Sequence, residues 1–267
     1  MKTIRNTIGI SILLLLAMAA VSQTPSSSDG SGVVIKLRVR VPQGDKAKGL
    51  ERKRFFLIKG SLEENKSLID NLDRQPLLSR DCYYRINGAS EAFIAWLREN
   101  DCESVYCGEV DQKSIDGPTA VPEFQLAVAA GEKEFGSSEL ARKWITVNLP
   151  KEFRSGFYEL KQQTLQAFVK QAESVSHAQV MSVMTDRNGF AYFTDVEPGT
   201  YVISSILPIE IGSSSSLWKC SITVKPGDLP EKQFLITTPG NKDRRDQKPS
   251  CVSVPKPLPV CDSTKKQ

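Results

Sequence analysis

Apolar residues change their spacing twice along this chain of 267 residues. Over 33–41, VVIKLRVRV, they alternate with polar residues, and this period of two predicts a strand with one buried face. A second strand is predicted at 53–60, KRFFLIKG. From 61 to 177 the apolar residues recur at helical spacing, and from 178 to 238 the strand pattern returns. The order along the chain is therefore strands, helices and strands.

Two isolated strands are only marginally stable, so the opening strands are expected to pair with the later ones. This order predicts an α+β protein, in which 33–60 and 178–238 form one antiparallel β-sandwich and 61–177 is an α-helical insertion. A flexible lead-in rich in serine and glycine, 23–32, precedes the sandwich, and an extended proline-rich tail, 239–267, follows it.

The N-terminus has the composition of a secretory signal peptide. Lys2 and Arg5 precede an apolar run over 8–20, and small residues follow the run. The run is shorter than the ~20 residues that a membrane-spanning helix needs. We therefore expect residues 1–22 to be removed and the mature chain to be secreted or periplasmic, with no integral membrane segment. An uncleaved N-terminal anchor is the alternative.

The charge balance argues against a nucleic-acid partner. The chain carries 35 Lys and Arg against 31 Asp and Glu, a net charge of +4. Removal of Lys2 and Arg5 leaves 33 basic residues against 31 acidic ones, a net charge of +2. Nucleic-acid binding needs a concentrated basic surface, and so small an excess does not indicate one.

The chain has six cysteines, all beyond the predicted signal peptide: Cys82, Cys102, Cys107, Cys220, Cys251 and Cys261. An even number of cysteines in an exported protein favours disulfides, although the sequence does not choose among the connectivities. Two pairs are near enough to close small loops, namely the cysteines in CESVYC and those in CVSVPKPLPVC. That arrangement would leave Cys82 with Cys220.

The known signatures of catalysis are missing from the sequence. It has no G-x-S-x-G nucleophile motif and no glycine-rich phosphate loop. A metal site is not predicted either, because there is no C-x-x-C pair and one histidine, His177. We expect no cofactor, no metal and no enzymatic activity. Acid pairs in the insertion, Glu99 with Asp101 and Glu132 with Glu134, leave a secreted glycan hydrolase as the alternative.

Two turn signals frame a short aromatic run at 185–203, TDRNGFAYFTDVEPGTYVI. The first turn, Asp186 to Gly189, has residues that tolerate turn geometry, and its glycine supplies a positive φ without steric cost. The second turn is Pro198-Gly199. The stretch resembles the carboxypeptidase regulatory-like domain, a transthyretin-like β-sandwich found in many exported bacterial proteins.

The recurring pattern of that family is T-D-x-x-G-x-F-x-F-x-x-hydrophobic-x-P-G-x-Y. The matching positions here are Thr185, Asp186, Gly189, Phe193, Val196, Pro198, Gly199 and Tyr201. Ala191 departs from the pattern, since the family usually has an aromatic residue there. The resemblance implies a structural or binding module whose matched residues serve folding, and it leaves the helical insertion without a counterpart.

Aromatic residues are the candidates for recognition. Trp218 lies beside a serine-rich stretch, SSSSLWKC, and is a candidate contact residue, whereas Trp96 and Trp144 fall on apolar helical stripes and are expected in the core. We therefore predict an exported, non-enzymatic module that binds a protein or glycan of the bacterial envelope, with recognition through the helical insertion. A structural spacer within an envelope assembly is a further alternative.

Overall fold

The computed structural model describes residues 32–43, 46–211, 214–227 and 251–261. The predicted signal peptide, almost all of the lead-in, the last part of the predicted strand pattern, 228–238, and much of the tail lie outside the described residues. Within the described part, no helix combines the length and the apolar character that a membrane crossing requires.

Strands lie on both sides of the helices in the sequence, so the predicted α+β class is confirmed. The strands are β1 (Val33–Arg38), β2 (Arg40–Gln43), β3 (Lys46–Gly49), β4 (Arg54–Lys59), β5 (Met181–Met184), β6 (Phe190–Val196), β7 (Gly199–Ser204), β8 (Ile209–Ile211), β9 (Ser214–Val224) and β10 (Cys251–Lys256). The helices are α1 (Lys66–Arg74), α2 (Arg80–Ile86), α3 (Glu91–Glu99), α4 (Gln112–Asp116), α5 (Pro122–Phe135), α6 (Ser138–Lys143) and α7 (Phe157–Ser176). A single 3-10 turn spans Val105–Cys107, and a π-helical turn, Glu152–Gly156, leads directly into α7.

The larger sheet is antiparallel and has the strand order β10-β9-β7-β4-β5, with β8 also paired to β9. In a separate two-stranded ribbon, β1 pairs with β6, and β2 pairs with β3 in a short hairpin. Two strands that precede the helices thus pair with strands that follow them. The chain leaves the larger sheet after β4, forms the seven helices of the described part, and returns beside β4 as β5.

The ribbon packs face to face against one side of the larger sheet. Val33, Ile35 and Leu37 of β1 point inward and are almost fully buried, as the period of two predicts. They share a core with Phe55 of β4 and Trp218 of β9, whose ring centroids lie 5.9 Å apart. Trp218 is 2% exposed, because β9 has strands on both sides and the ribbon covers its inner face. The structure therefore places Trp218 in the core and not at the surface that its serine-rich neighbours suggest.

The other side of the larger sheet packs against α1 and α7. Phe56 and Ile58 of β4 share a core with Leu68 of α1 and with Leu165 and Phe168 of α7. Because β4 is buried on both faces, its sequence RFFLIK is a continuous apolar run instead of an alternating one. The described part is thus layered as ribbon, sheet and helices.

The helices α2 to α6 enclose a further core that is rich in aromatic rings. Phe93 of α3 meets Tyr84 of α2 at 5.4 Å and Phe124 of α5 at 5.7 Å between ring centroids, both edge to face. Trp96 lies in this core, as expected. Trp144 is 51% exposed, contrary to expectation, because α6 is short and ends with Trp144 as its C-cap.

Residues of the turn motif make the contacts of a tight turn. The Asp186 carboxylate accepts hydrogen bonds from the backbone N–H groups of Asn188 at 2.8 Å and of Phe190 at 2.9 Å. Gly189 has φ +79°, and a Cβ there would lie 2.1 Å from the carbonyl oxygen of Val39. Only glycine fits this position, since both the φ and the space exclude a side chain.

The long-range disulfide differs from the pairing that short spacing suggests. Cys82 of α2 is bonded to Cys261, with a sequence separation of 179. The pairings of Cys251 with Cys261 and of Cys82 with Cys220 are therefore wrong. The physical reason is that β10 is extended, at roughly 3.3 Å per residue, so the chain is carried away from Cys251 instead of turning back to it.

The described part of the tail includes a strand, where the sequence suggested an extended tail. All six residues of β10 pair with β9, and the register places Cys251 opposite Cys220, which is itself disulfide-bonded. The Lys256 ammonium group donates to the carbonyl oxygen of Asp73 at 2.6 Å. This part of the chain forms one edge of the larger sheet and fastens it to α1.

Candidate functional site

A cleft of about 410 Å³ opens between the larger sheet, α7 and the loop 101–107. We call it the interlayer cleft, because the sheet supplies one wall and the helical layer supplies the other. Its boundary includes charged, aromatic and apolar side chains: Arg52, Arg54, Asp101, Tyr106, Tyr158 and Leu165.

The loop 101–107 is held firmly at the end of α3. The N–H of Cys102 donates back to a carbonyl oxygen of α3 at 2.8 Å, and Asp101 has φ +49°, the left-handed conformation common where helices end. A disulfide between Cys102 and Cys107 closes the loop, with the two Cα atoms 5.6 Å apart. The buried guanidinium of Arg80 donates to the carbonyl oxygen of Cys102 at 3.0 Å. Two hydrogen bonds and a disulfide therefore hold the backbone of the loop in place.

Two ion pairs join this loop to the cleft walls. Lys53 Nζ lies 2.9 Å from one carboxylate oxygen of Asp101 and 3.0 Å from the other, and the lysine side chain is 9% exposed. Lys161 of α7 pairs with Glu103. Both carboxylates that the loop brings to the cleft are thus engaged by ammonium groups.

Two arginines flank Lys53 at the start of β4 and also line the cleft. Arg54 is exposed, and its guanidinium has no hydrogen-bond or ion-pair partner among the described residues. Arg52 is half exposed, and its guanidinium lies 3.4 Å from the Glu51 carboxylate, a surface contact that contributes little. The cleft therefore presents two guanidinium groups that the other described residues bind weakly or not at all.

Thr185 of the turn motif shapes the segment that carries these arginines. Its hydroxyl donates to the carbonyl oxygen of Leu50 at 2.6 Å and accepts from the N–H of Lys53 at 3.0 Å. Its backbone carbonyl accepts from the N–H of Arg52 at 2.9 Å, and Arg52 has φ +54°. A non-glycine residue in this conformation needs such support from its surroundings. Thr185 thus positions the basic residues of the cleft without lining it.

The floor of the cleft is apolar and its rim is aromatic. Phe56, Leu165 and Leu207 line the floor and are more than nine-tenths buried. Tyr106 and Tyr158 are 58% and 44% exposed and lie at the rim. Pockets for small ligands typically have volumes of roughly 300–1,000 Å³, mostly apolar walls and a few polar groups. The interlayer cleft has this composition.

Glu210 of β8 lies in a narrow pocket of about 30 Å³ behind the cleft, which it shares with Lys53 and Arg80. Its carboxyl group accepts a hydrogen bond from the backbone N–H of Arg80 at 3.1 Å. Burial raises the pKa of Glu210 above the ordinary value, although a hydrogen bond from Ser79 acts in the opposite direction. Glu210 therefore contacts the start of α2 and does not line the interlayer cleft.

A second hollow, of about 420 Å³, lies beside the π-helical turn. Lys151 and Glu159 form an ion pair at 2.9 Å there. Gly156 faces Tyr83 so closely that a Cβ would lie 2.0 Å from the phenol oxygen, and burial raises the pKa of that phenol. The lysine of this hollow is already paired and no arginine among the described residues lines it, so we take the interlayer cleft as the candidate site.

The residues singled out in the sequence contribute to the cleft only in part. Asp101 and Cys107 line it. Glu99, Glu132 and Glu134 are exposed on α3 and α5 and lie outside it. Within the described ranges, no group of three or more His, Cys, Asp and Glu side chains is placed to hold a metal ion.

The sequence analysis missed the arginines and tyrosines of the cleft. A signal for Arg52 and Arg54 exists, since R-K-R directly precedes the apolar run of β4. Tyr106 lies between the two cysteines of CESVYC, in a loop that the disulfide keeps at the surface. Nothing in the local sequence distinguishes Tyr158 from the other aromatic residues of its helical stretch.

A scan against protein-family models finds no match to this chain. No curated protein matches it either. Among solved structures, the pilus backbone from Streptococcus pneumoniae is similar at 9% sequence identity with a TM-score of 0.22, over 76% of this chain and 40% of that one. The chain therefore spans less than half the length of that protein. A TM-score this low does not establish a common fold, and the resemblance to the regulatory-like family stays a prediction.

Proposed function

We propose that this chain is an exported, non-enzymatic protein of the bacterial envelope that binds a ligand in the interlayer cleft. Export is supported by the N-terminal sequence pattern and by the disulfides, which persist in oxidising compartments. Binding is supported by one observation above all, a cleft with an apolar floor, an aromatic rim and guanidinium groups that the fold leaves available.

Binding accounts for the cleft better than glycan hydrolysis does. In glycoside hydrolysis two carboxyl groups flank the scissile bond, one to protonate the leaving group and one to act on water or on the sugar. Asp101 and Glu103 both line the cleft, yet lysine ammonium groups engage both of them. Their oxygen atoms are committed to holding the loop against Lys53 and Lys161.

The site also refines the proposed role of the helical insertion. Tyr106, Tyr158 and Lys161 come from the insertion, whereas Arg52 and Arg54 come from the sheet side. We propose that recognition requires both parts. Removal of the insertion would uncover the apolar face of the sheet that α1 and α7 bury, so point substitutions test the site better than a deletion does.

The finer fold assignment is part of the same proposal. We propose that the two β layers form a divergent transthyretin-like sandwich of the regulatory-like family. The supporting observations are the face-to-face packing of ribbon and sheet and the turn contacts of Asp186 and Gly189. An experimental structure whose strand connectivity differed from the transthyretin-like order would contradict this assignment.

The test of binding compares two tyrosines of equal exposure. Tyr158 is 44% exposed in the cleft, and Tyr192 is 46% exposed on the outer face of β6. The exported full-length protein and its Tyr158→Ala and Tyr192→Ala variants are each incubated with bacterial envelope extract, and the retained molecules are identified by mass spectrometry. We expect one ligand to be retained by the wild type and by Tyr192→Ala and to be lost with Tyr158→Ala.

Other outcomes have definite meanings. Retention of the same ligand by all three proteins would place recognition elsewhere on the surface. Absence of any retained ligand, with the wild type folded by circular dichroism, would favour the structural spacer over the binding module.

A further inference from the structure

The charges that line the interlayer cleft do not balance. Two lysines face two carboxylates in the ion pairs Lys53–Asp101 and Lys161–Glu103. Arg52 and Arg54 then remain as positive charges at the same cleft, and the acid that pairs with Arg52 among the described residues is Glu51, 27% exposed, at 3.4 Å. A bound molecule would meet an excess of positive charge at the sheet wall.

The remaining cations are arginines, and the guanidinium group determines which anions can bind. A guanidinium group is planar and can donate two parallel hydrogen bonds to a carboxylate, sulfate or sulfonate. The lysines of the cleft are fixed by their own partners and lack this geometry. The side chains that are free to bind are therefore the ones best suited to an oxyanion.

The apolar floor of the cleft indicates the chemical character of the rest of the ligand. Phe56, Leu165 and Leu207 form a buried floor, and Tyr158 stands at the rim. A small inorganic anion would leave this floor in contact with water, whereas an apolar body would cover it at a gain of roughly 25 cal/mol per Å². The volume of about 410 Å³ suits a small organic molecule.

We propose that the interlayer cleft binds a small organic anion, with its oxyanion held by Arg54 and Arg52 and its aromatic or branched apolar body packed on Phe56, Leu165 and Leu207. This inference rests on the proposed binding function and adds to it the chemical class of the ligand. The contribution of Arg54 is the larger one, because this side chain has no competing partner among the described residues.

Two fluorescent dyes of nearly identical shape provide the test. Anilinonaphthalene sulfonate carries a sulfonate group, and N-phenylnaphthylamine is the same ring system without it. We expect the exported full-length protein to bind the sulfonate dye roughly tenfold more tightly than the neutral one, since charge-assisted hydrogen bonds are the stronger class. Fluorescence titration measures both affinities.

Three variants locate the effect. The first variant combines Arg54→Gln with Arg52→Asn, and Asn is chosen because it tolerates the positive φ of position 52. In this variant the preference for the sulfonate dye should disappear, while the neutral dye should still bind. Arg187→Gln is the matched control, because Arg187 is exposed and does not line the cleft. Ser104→Trp, which fills the cleft from its loop, should weaken both dyes. Circular dichroism and thermal unfolding establish that each variant is folded.

The outcomes separate the two levels of the proposal. If both dyes bind equally and the arginine variant changes nothing, the anion inference is overturned while the cleft still binds ligands. If neither dye binds, or if Ser104→Trp leaves both unaffected, the interlayer cleft is not the binding site and the proposed function fails with it.

Discussion

The two edges of the larger sheet are built in different ways. At one edge β10 pairs with β9, and Lys219 and Lys256 both reach Asp73, one at 2.7 Å to the carboxylate and the other at 2.6 Å to the carbonyl oxygen. Just beyond β10, Cys261 is bonded to Cys82 of α2. This edge is therefore fastened to the helical layer by a strand, by ion pairs and by a covalent bond.

At the opposite edge β5 has four residues and pairs with β4 alone among the strands described. Met181 and Met184 are 36% and 52% exposed there, and Met184 lines the interlayer cleft. Proteins usually protect a sheet edge, because its unpaired backbone groups attract other chains. Both end strands are edge strands. We call the β10 edge the closed edge, because ion pairs and a disulfide tie it to the helices, and the β5 edge the open edge, because no disulfide or ion pair among the described residues ties β5 to them. The β10 edge is therefore expected to contribute mainly to stability, and the β5 edge to the proposed ligand binding.

The largest effect is expected at the closed edge. Replacement of Cys82 and Cys261 by alanine should lower the free energy of unfolding by about 2–5 kcal/mol, because the bond constrains a long loop of the unfolded chain. Urea denaturation of the full chain measures the change.

A matched control is available at the open side of the molecule. Alanine at both Cys102 and Cys107 removes a bond with a sequence separation of 5, which constrains the unfolded chain less. We expect a smaller loss of stability but weaker dye binding, since the loop carries part of the cleft. An equal loss for the two pairs would contradict the division between a fastened and an open edge.

The start of β4 should be the most sensitive point near the open edge. Thr185→Val removes a buried hydroxyl that holds Leu50 and Lys53, and we expect a loss of about 1–3 kcal/mol in unfolding free energy. Binding of the sulfonate dye should weaken as well, because Arg52 loses its support. Thr200→Val is the control, since among the described residues its hydroxyl contacts that of Thr223 alone, at 3.4 Å, and the substitution should cost less than about 0.5 kcal/mol. Unchanged dye affinity in Thr185→Val would show that the motif does not position the cleft.

Glu210 behind the cleft should give a pH-dependent effect. Burial raises the pKa of Glu210 in the folded state. Below the pKa that this group has in the unfolded chain, it therefore stabilises the wild type, and this stabilisation is lost as the pH rises through the folded-state pKa. Glu210→Gln does not titrate. Its unfolding free energy relative to the wild type should therefore increase from about pH 4 to about pH 7. Urea denaturation measures this difference in unfolding free energy. A difference that stays constant or falls over this pH range would show that burial does not raise the pKa of Glu210.

The smallest change in stability is expected from substitution of one exposed apolar residue at each edge. Met184 beside the cleft is 52% exposed, and Leu258 beyond β10 is 37% exposed. Serine at either position should change the unfolding free energy by less than about 0.5 kcal/mol. Only Met184→Ser should weaken binding of the neutral dye. Equal dye affinities for the two variants would remove the open edge from the binding site.

The sequence was most informative where local spacing determines structure. The alternation of Ile35 and Leu37 with polar residues predicted a strand with one buried face, and the helical period after residue 61 predicted the helices. Gly189 was assigned to a turn because its conformation depends on its own backbone. In each case the physical cause lies within a few residues of the chain.

Features that depend on packing could not be predicted in the same way. Trp218 is buried because the ribbon covers β9, and its serine-rich neighbours carry no information about that layer. The cleft combines Arg54, Glu103 and Lys161, which are far apart in the sequence and meet only because the helices return to the sheet beside β4. The partner of Cys82 depends on where β10 directs the tail.

The bond between Cys82 and Cys261 also has a consequence for biogenesis. Cys102 and Cys107 leave the ribosome long before Cys261 does, so an oxidase that joined cysteines in order of appearance would link Cys82 to Cys102. The native connectivity requires Cys82 to stay reduced, or its first bond to be exchanged through a mixed disulfide, until residue 261 has been synthesised. This bond therefore forms only after synthesis of the chain has reached the sixth cysteine.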